Sequence, residues 1–454
     1  MKTKALILAA GQGTRMKSHS SKVLHKVFGK SLVEYPILAA REVGVEEVCL
    51  IVGHKAEDVK EALGNRVSYV LQKEQLGTGH AVMQAMEFIE SADEVLILCG
   101  DTPLVTGDTL KGMLEFHHAN KNAITVLSAL IEDPTGYGRI VRDGNGNLIK
   151  IVEQKDATED EKAINEINGG MYAFDAKLLK YALSKLTNNN VQNEYYLTDT
   201  IEILLKEGHR VDAIATQQAD DIAGVNSRVQ LAAVTEVMKK RVNEKHMSNG
   251  VTIIDPMNTY IEPDVVIGKD TIIEPGCMLQ GKTVIGENCL IGHHSKLVNA
   301  KLGDGVEVEI SVITDGFVDE GTHVGPFAYI RPNSYIGKNI KVGDFVEIKN
   351  SNIGDGTKIS HLTYIGDADV GQNVNFGCGT VVVNYDGQKK HRSKIEDNAF
   401  IGCNTNLVSP VVVEKNAYTA AGSTITRNVP EDSLGIARAK QENKVNWVAK
   451  KRQK

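Results

Sequence analysis

The chain has 454 residues, too many for one ordinary core, so two or three domains are expected. A formal net charge of -7 argues against a nucleic-acid surface, and no apolar run approaches the roughly 20 residues of a transmembrane segment. The six cysteines form no CxxC pair and no Cys/His spacing suited to zinc, which fits reduced thiols in a cytoplasmic protein.

The start imitates a signal peptide. Its apolar stretch from Ala5 to Ala10 is too short and runs into a glycine loop, so no targeting is expected. Residues 1–226 then alternate short apolar runs with helical patterns. Ala5–Ala9 reads as a buried strand, and Ser31 with Glu34 as a capping box opening a helix through about Glu42. Val48–Val52 reads as a strand, Ala56–Leu63 as a helix, Val67–Leu71 as a strand and His80–Ile89 as a helix. Glu94–Leu98 is a further strand ending in Cys99, Gly100 and Asp101, and Gly138–Glu153 is a hairpin around Asp143–Gly146. This order implies a largely parallel sheet covered on both faces, with ligands beyond the C-terminal strand ends.

The loop from Leu8 to Met16 follows a strand. It is neither a Walker loop nor the dinucleotide fingerprint, whose third glycine position is Met16 here. Glycines at that place let backbone N–H groups approach phosphates, Arg15 adds a bidentate fork, and Lys22 follows within plausible reach. For a lone GxG, however, a plain strand-to-helix turn is the commoner reading.

Ser227–Met247 carries a helical stripe of Leu231, Val234, Met238 and Val242 among many charges. It reads as a rigid arm of roughly 30 Å, capped near Ser227 and ended by Asn249 and Gly250, dividing a first domain (1–226) from the rest (250–454) by a linker (227–249).

From Ile267 an aliphatic residue recurs every sixth position: Ile267, Ile273, Leu279, Ile285, Ile291, Leu297. The beat returns at Val318, Val324, Ile330, Ile336, Val342 and Ile348, slips by one, continues at Ile353, Ile359 and Ile365, and resumes at Ile395, Ile401, Leu407 and Val413. A period of six fits neither helix nor simple strand and marks a hexapeptide parallel β-helix. Residues eighteen apart then stack, Ile267 under Ile285 and Ile273 under Ile291, with a rise of roughly 4.8 Å per coil. The segment from Asn384 interrupts the beat as an ejected basic loop, and the tail from Gln441 is polar and basic with the only tryptophan, Trp447.

The motifs combine. The Leu8–Met16 loop with Lys22 resembles the signature of sugar-1-phosphate nucleotidylyltransferases, and Gln72 with Gly77 and Thr78 resembles their base-recognition segment. Asp101, Gly138, Arg139, Glu153, Asn168 and Asn226 continue the match in order. With the hexapeptide half and the segment around His361, nearly the whole chain resembles the bacterial bifunctional N-acetylglucosamine-1-phosphate uridyltransferases/glucosamine-1-phosphate N-acetyltransferases. The fold implied is α/β: a Rossmann-like nucleotidyltransferase domain followed by a left-handed parallel β-helix, the hand coming from the family.

The resemblance implies two reactions. Acetyl passes from acetyl-CoA to glucosamine-1-phosphate, and the product, N-acetylglucosamine-1-phosphate, is joined to UMP from UTP with release of pyrophosphate. It places the UTP and UDP-sugar on Leu8, Ala9, Ala10, Gly11, Arg15, Lys22, Gln72, Gly77, Thr78, Gly138, Glu153, Asn168, Tyr196, Thr198 and Asn226, with Asp101 and Asn226 ligating Mg²⁺. It makes His361 the base of the acetyl transfer, although any one of 13 histidines is more often structural. Arg331, Lys349, Tyr364 and Asn375 would hold the acceptor, with Asn384, Tyr385, Cys403, Ala421 and Arg438 on acetyl-CoA, Glu347 orienting Asn384 and a backbone N–H near Cys378 meeting the oxyanion. It also implies a homotrimer. The alternatives are another sugar nucleotidylyltransferase with a regulatory β-helix, such as an ADP-glucose pyrophosphorylase, and a non-catalytic scaffold of the same two folds.

Overall fold

Alternation between two faces organises the first half of the chain. The computed structural model describes residues 1–452. In strand β1 (Thr3–Ala9), Ala5, Ile7 and Ala9 enter one core and Leu6 the other. Two short strands, β2 (Lys26–Val27) and β3 (Lys30–Ser31), make a separate ribbon. Next come β4 (Val48–Val52), β5 (Ser68–Leu71) and β6 (Glu94–Cys99), in which the same alternation sends Leu50, Leu96 and Leu98 to one side and Ile51, Val95 and Ile97 to the other. Sheets buried on both faces carry such continuous aliphatic runs. The chain continues through β7 (Ile124–Leu130), β8 (Arg139–Arg142), β9 (Leu148–Val152), β10 (Glu166–Asp175) and β11 (Val211–Ala215).

The sheet runs β11-β7-β10-β6-β1-β4-β5, parallel except for β10, which is antiparallel to both neighbours; β8 and β9 form the expected hairpin. Asp143 accepts from the N–H groups of Asn145 and Asn147 at the hairpin turn. The C-terminal ends of β1 and β6 lie side by side, with Leu8 opposite Cys99, and so bring the glycine loop beside Asp101.

Two local expectations are corrected. The helix after Ser31 begins only at Glu34, and the box is one-sided: Glu34 accepts from both the Ser31 N–H and its hydroxyl. Spending that hydroxyl proton on Glu34 leaves no side-chain cap at the helix start, where Val33 is the N-cap. The helix expected at His80–Ile89 is two pieces, Thr78–Met83 and Met86–Ile89, because Ala85 leaves helical geometry.

Contacts divide the chain into two units, Met1–Met238 and Lys239–Lys454, so the helix Arg228–Ser248 is shared between them. Ser227 Oγ accepts from Gln230 N–H at its start, and in the first unit Val234 packs with Met16, Val27, Leu32 and Val225 beneath the glycine loop. In the second unit Lys239 donates to the Met257 carbonyl and Asn243 to the carbonyls of Pro256 and Thr259. Those bonds satisfy backbone acceptors at the open end of the solenoid.

Among the described residues the second unit holds three parallel sheets of 11, 10 and 9 strands, one per face of a β-helix. Ile267 pairs with Ile285 and Ile273 with Ile291, the stacking that the eighteen-residue spacing requires. The repeat does not lapse after Leu297. Leu302, Val308 and Ile313 continue it at shortened steps, and all three are buried. Buried threonines bind the turns, as where the Thr322 hydroxyl donates to the Gly337 carbonyl at 2.7 Å. Asn and Asp occupy left-handed corners, among them Asn288 at φ 56° and Asn339 at φ 52°. No helix among the described residues is long and apolar enough to cross a membrane.

Candidate functional site

The first cluster lies beyond the ends of β1, β5 and β6. Leu8, Ala9, Ala10, Gly11, Lys22, Gln72, Gly77, Thr78 and Asp101 line one cavity of about 290 Å³. Close approach explains two of its glycines. A Cβ on Gly13, at φ 62°, would lie 2.6 Å from the Lys22 Cβ, and one on Gly77, at φ 106°, would lie 2.5 Å from the Tyr195 carbonyl. Lys22 ion-pairs with Asp101, and its ammonium also reaches the Asn226 amide oxygen at 3.0 Å. The backbone links the same two residues, since Val225 N–H donates to the Asp101 carbonyl. Two hard oxygen donors thus converge on one cation, which is the chemistry of a divalent-metal site sparsely ligated by protein. Arg15 is exposed, beside the cavity loop, with no partner among the described residues.

Gln72 is almost wholly buried, and its amide nitrogen is 3.2 Å from the Gly77 carbonyl and 3.1 Å from His80 Nδ1. Its amide oxygen is left to accept. Thr78 Oγ1 accepts from Leu197 N–H, so this hydroxyl also anchors the segment. Glu194, which the sequence reading did not single out, lines the cavity too.

Gly138, Glu153, Asn168, Tyr196 and Thr198 do not line that cavity. Asn168 N–H donates to the Gly138 carbonyl, and its side chain donates to Tyr172 Oη at 2.8 Å. Burial, then Asp156, Asp199 and Glu194, raises the Glu153 carboxyl. Burial, then Glu202 and Asp156, pushes Asp199 up to about 6. Tyr196 Oη accepts from Gln192 at 2.7 Å, while the buried Thr198 hydroxyl has no partner among the described residues. Burial raises the Cys99 thiol to about 12, which suits packing rather than nucleophilic chemistry.

The second cluster lies on the solenoid face that carries Tyr329–Ile330, Glu347–Lys349, Tyr364–Gly366 and Val381–Val383. Arg331 pairs with Glu347 at 2.7 Å. Lys390, from the ejected loop, crowds Lys349 and lowers its pKa, with burial and Arg331 adding to the effect and Asp367 opposing it. Three cations converging in this way describe an anion site. Lys390 and Asp367 were not singled out from the sequence. The expectation that Glu347 orients Asn384 is corrected: the Asn384 amide donates to Asp367 and, at 3.4 Å, to Tyr364 Oη.

His361 stands at the corner after Lys358–His361, and its Nδ1 lies 2.6 Å from Asp344 Oδ1 one coil below. Register carries this corner upward. Val342, Ile359, Phe376, Ile401 and Thr419 pair in succession, so Asp344, His361, Cys378, Cys403 and Ala421 occupy equivalent positions along one edge. The packing is close: a Cβ on Gly402 would lie 2.6 Å from the Ala421 N. Arg438 lies near Gly422, and Tyr385 is exposed on the loop. Asn375 is not gathered with Tyr364. It pairs with Lys358 on the His361 face, whereas Tyr364 pairs with Glu347 on the next.

The nucleotidyl transferase family matches residues 4–236. Bacterial transferase hexapeptide repeats match 264–299, the GMPPB C-terminal domain 312–386, and the hexapeptide repeat of succinyl-transferase 393–427. Curated relatives similar to this chain bear the name bifunctional protein GlmU. The one from Acetivibrio thermocellus is 56% identical over 98% of this chain and 97% of its own length. That from Clostridioides difficile is 56% identical over 100% and 99%, and that from Clostridium perfringens 57% over 99% and 99%. The chain belongs to the family of bifunctional GlmU proteins, with a nucleotidyltransferase domain followed by a left-handed hexapeptide β-helix.

Proposed function

We propose that this chain makes UDP-N-acetylglucosamine in two steps at separate sites. As a bifunctional enzyme of that synthesis it acetylates glucosamine-1-phosphate from acetyl-CoA, then transfers UMP from UTP to N-acetylglucosamine-1-phosphate and releases pyrophosphate. The observation that carries the reading is the presence of two complete charge constellations, one per unit: Lys22 between Asp101 and Asn226, and Arg331, Lys349 and Lys390 on the solenoid.

In the uridylyl transfer both reactants are anions, so charge neutralisation and alignment are the main requirements. Arg15 and Lys22 hold the triphosphate and the departing pyrophosphate, while the backbone of Leu8, Ala9, Ala10 and Gly11 approaches the nucleotide. The Gln72 amide oxygen accepts from the uracil N–H beside Gly77 and Thr78. Glu153, Asn168, Gly138, Tyr196 and Thr198 hold the sugar, and a buried Glu153 carboxyl is suited to a hydroxyl partner. Asp101 and Asn226 would hold the divalent ion, which we read as Mg²⁺ from its all-oxygen, two-ligand protein set. That ion supplies charge neutralisation on the phosphate oxygens.

In the acetyl transfer the amine nitrogen attacks the thioester carbon and His361 takes its proton. The carbon–sulfur bond breaks, and the proton returns to the CoA sulfur. Arg331, Lys349 and Lys390 clamp the acceptor phosphate, with Tyr364 and Asn375 on the sugar. The edge column supports a bound pantetheine arm lying along Cys378, Cys403 and Ala421 at roughly 4.8 Å per coil, with Arg438, Tyr385 and Asn384 beside it. The Cys378 N–H has no acceptor within the chain among the described residues, which suits an oxyanion donor. The separation of Asn375 from Tyr364 supports a homotrimer in which neighbouring chains complete each acetylation site. All six cysteines are free, in keeping with a cytoplasmic setting. Assaying acetyl-CoA with glucosamine-1-phosphate, and UTP with N-acetylglucosamine-1-phosphate, tests the reading. Both pairs should turn over, and loss of either from a folded preparation contradicts it.

A further inference from the structure

We infer that Asp344 is a positioning residue for the acetyl transfer, holding His361 in the tautomer whose Nε2 is free to take the proton of the acceptor amine. The inference rests on His361 being the base, as proposed above.

The argument is one of donors and acceptors. Asp344 Oδ1 lies 2.6 Å from His361 Nδ1. An ionised carboxylate only accepts, so Nδ1 carries the hydrogen and the neutral ring keeps its lone pair on Nε2. The His361 bond itself holds the Asp344 carboxyl below its ordinary range, in keeping with a charged acceptor. Nε2 has no partner among the described residues, and the ring is 56% exposed, so this nitrogen is open to a substrate.

Other histidines of the solenoid also meet carboxylates: His293 with Glu274 at 3.3 Å and His323 with Glu307 at 3.1 Å. A neighbour one coil below is thus no proof of function. One observation sets Asp344 apart. His293 shares the same edge, but the partner of Asp344 lies directly one coil below Cys378, where the edge continues through Cys403 and Ala421. The main chain also fixes both corners. Leu362 N–H donates to the Asp344 carbonyl at 2.9 Å, and the Thr363 hydroxyl donates to the His361 carbonyl at 2.8 Å. The residues after each, Phe345 at φ 55° and Leu362 at φ 45°, are bulky side chains in the left-handed region. Such conformations persist where the surrounding structure imposes them, and they cluster at functional sites.

The reaction places a demand on this geometry. The amine must present its proton to a ring nitrogen within hydrogen-bond reach as its lone pair meets the thioester carbon. With Asp344 gone, the ring is free to rotate and to populate the tautomer with hydrogen on Nε2, which cannot accept.

The test compares Asp344→Ala, Asp344→Asn, His361→Ala and the double variant Asp344→Ala/His361→Ala in the full chain. Asp344→Ala should lower the acetyl-transfer kcat about 10- to 100-fold, part of the roughly 10²- to 10⁴-fold a positioned base supplies. KM for both substrates should stay within about twofold. Asp344→Asn should fall between, because its amide oxygen still accepts from Nδ1. Uridylyl transfer and Tm should not change. In the His361→Ala background Asp344→Ala should cost nothing further, since Asp344 acts through that ring. A wild-type kcat in Asp344→Ala, an effect confined to KM, or an additive loss in the double variant would each overturn the inference. Should Asp344→Ala fold poorly, the isosteric Asp344→Asn decides by the same split of kcat from KM. Full acetylation by His361→Ala overturns the base reading itself, whereas an inactive His361→Ala beside a fully active Asp344→Ala overturns only the role of Asp344.

Discussion

Lys22 reaches across 79 residues of sequence to pair with Asp101, and the same ammonium touches Asn226. The proposed metal ligands are therefore already held together by an internal cation. Two positive groups cannot share that position, so Lys22 must leave it for the phosphates when a divalent ion binds. In Lys22→Met, uridylyl transfer should fall at least 100-fold, as for loss of a preorganised charge contact. Divalent-ion binding without nucleotide, measured by calorimetry, should tighten at the same time. Weaker binding in that variant would mean that Lys22 does not compete with the ion.

Asp199 yields a prediction about stability. Its carboxyl is raised to about 6, first by burial and then by Glu202 and Asp156. A raised pKa favours the protonated form in the folded state, so its stabilising contribution is complete below the ordinary aspartate range and is lost as pH rises through about 6. The helix that Asp199 begins, Asp199–Lys206, offsets part of this by its N-terminal dipole. Asp199→Asn should therefore stabilise the first unit by about 1 kcal/mol at pH 8 and by much less near pH 4. Thermal melts across that interval check it, and an equal gain at both ends contradicts the assignment.

Asp367 should matter through Asn384. Its carboxylate receives the amides of both Asn384 and Asn350. Removing it frees the start of the ejected loop and leaves Lys349 and Lys390 without their opposing charge. Asp367→Ala should raise KM for acetyl-CoA and glucosamine-1-phosphate several-fold in initial-rate measurements, with uridylyl transfer unaffected. Unchanged KM values would detach Asp367 from the site.

What could be read from the sequence follows from what repeats locally. Strands β1, β4 and β6 are aliphatic runs buried on both faces, and the hexapeptide beat reports one inward side chain per strand, so both showed in spacing alone. The beat vanished between Leu297 and Val318 because shortened corners move Leu302, Val308 and Ile313 off the period without taking them out of the core. Asp344 and Asp367 escaped notice for a different reason. Each acts on a residue one coil away, and no periodicity of apolar residues reports which polar corner will face which. The glycine loop and His361 stood out through family resemblance, since a GxG and a lone histidine are common.

The proposed trimer predicts complementation between chains. Asn375 and Tyr364 lie on different faces of one solenoid, so one chain does not gather the whole acceptor set. Chains carrying His361→Ala, dissociated and reassembled with chains carrying Arg438→Ala, should recover acetylation at some mixed interfaces. A monomer with full acetyltransferase activity, sized by light scattering, would rule the shared site out.

The central claim is that one chain supplies residues to two chemically independent active sites, and the most direct measurement assays both reactions in Asp101→Asn and His361→Ala. Asp101→Asn keeps the side chain's size and removes its charge. It should abolish most uridylyl transfer, a loss of about 100-fold or more, while acetylation proceeds at the wild-type rate. His361→Ala should show the reverse. Loss of both activities in either folded variant, or retention of Mg²⁺-dependent uridylyl transfer by Asp101→Asn, would contradict the account.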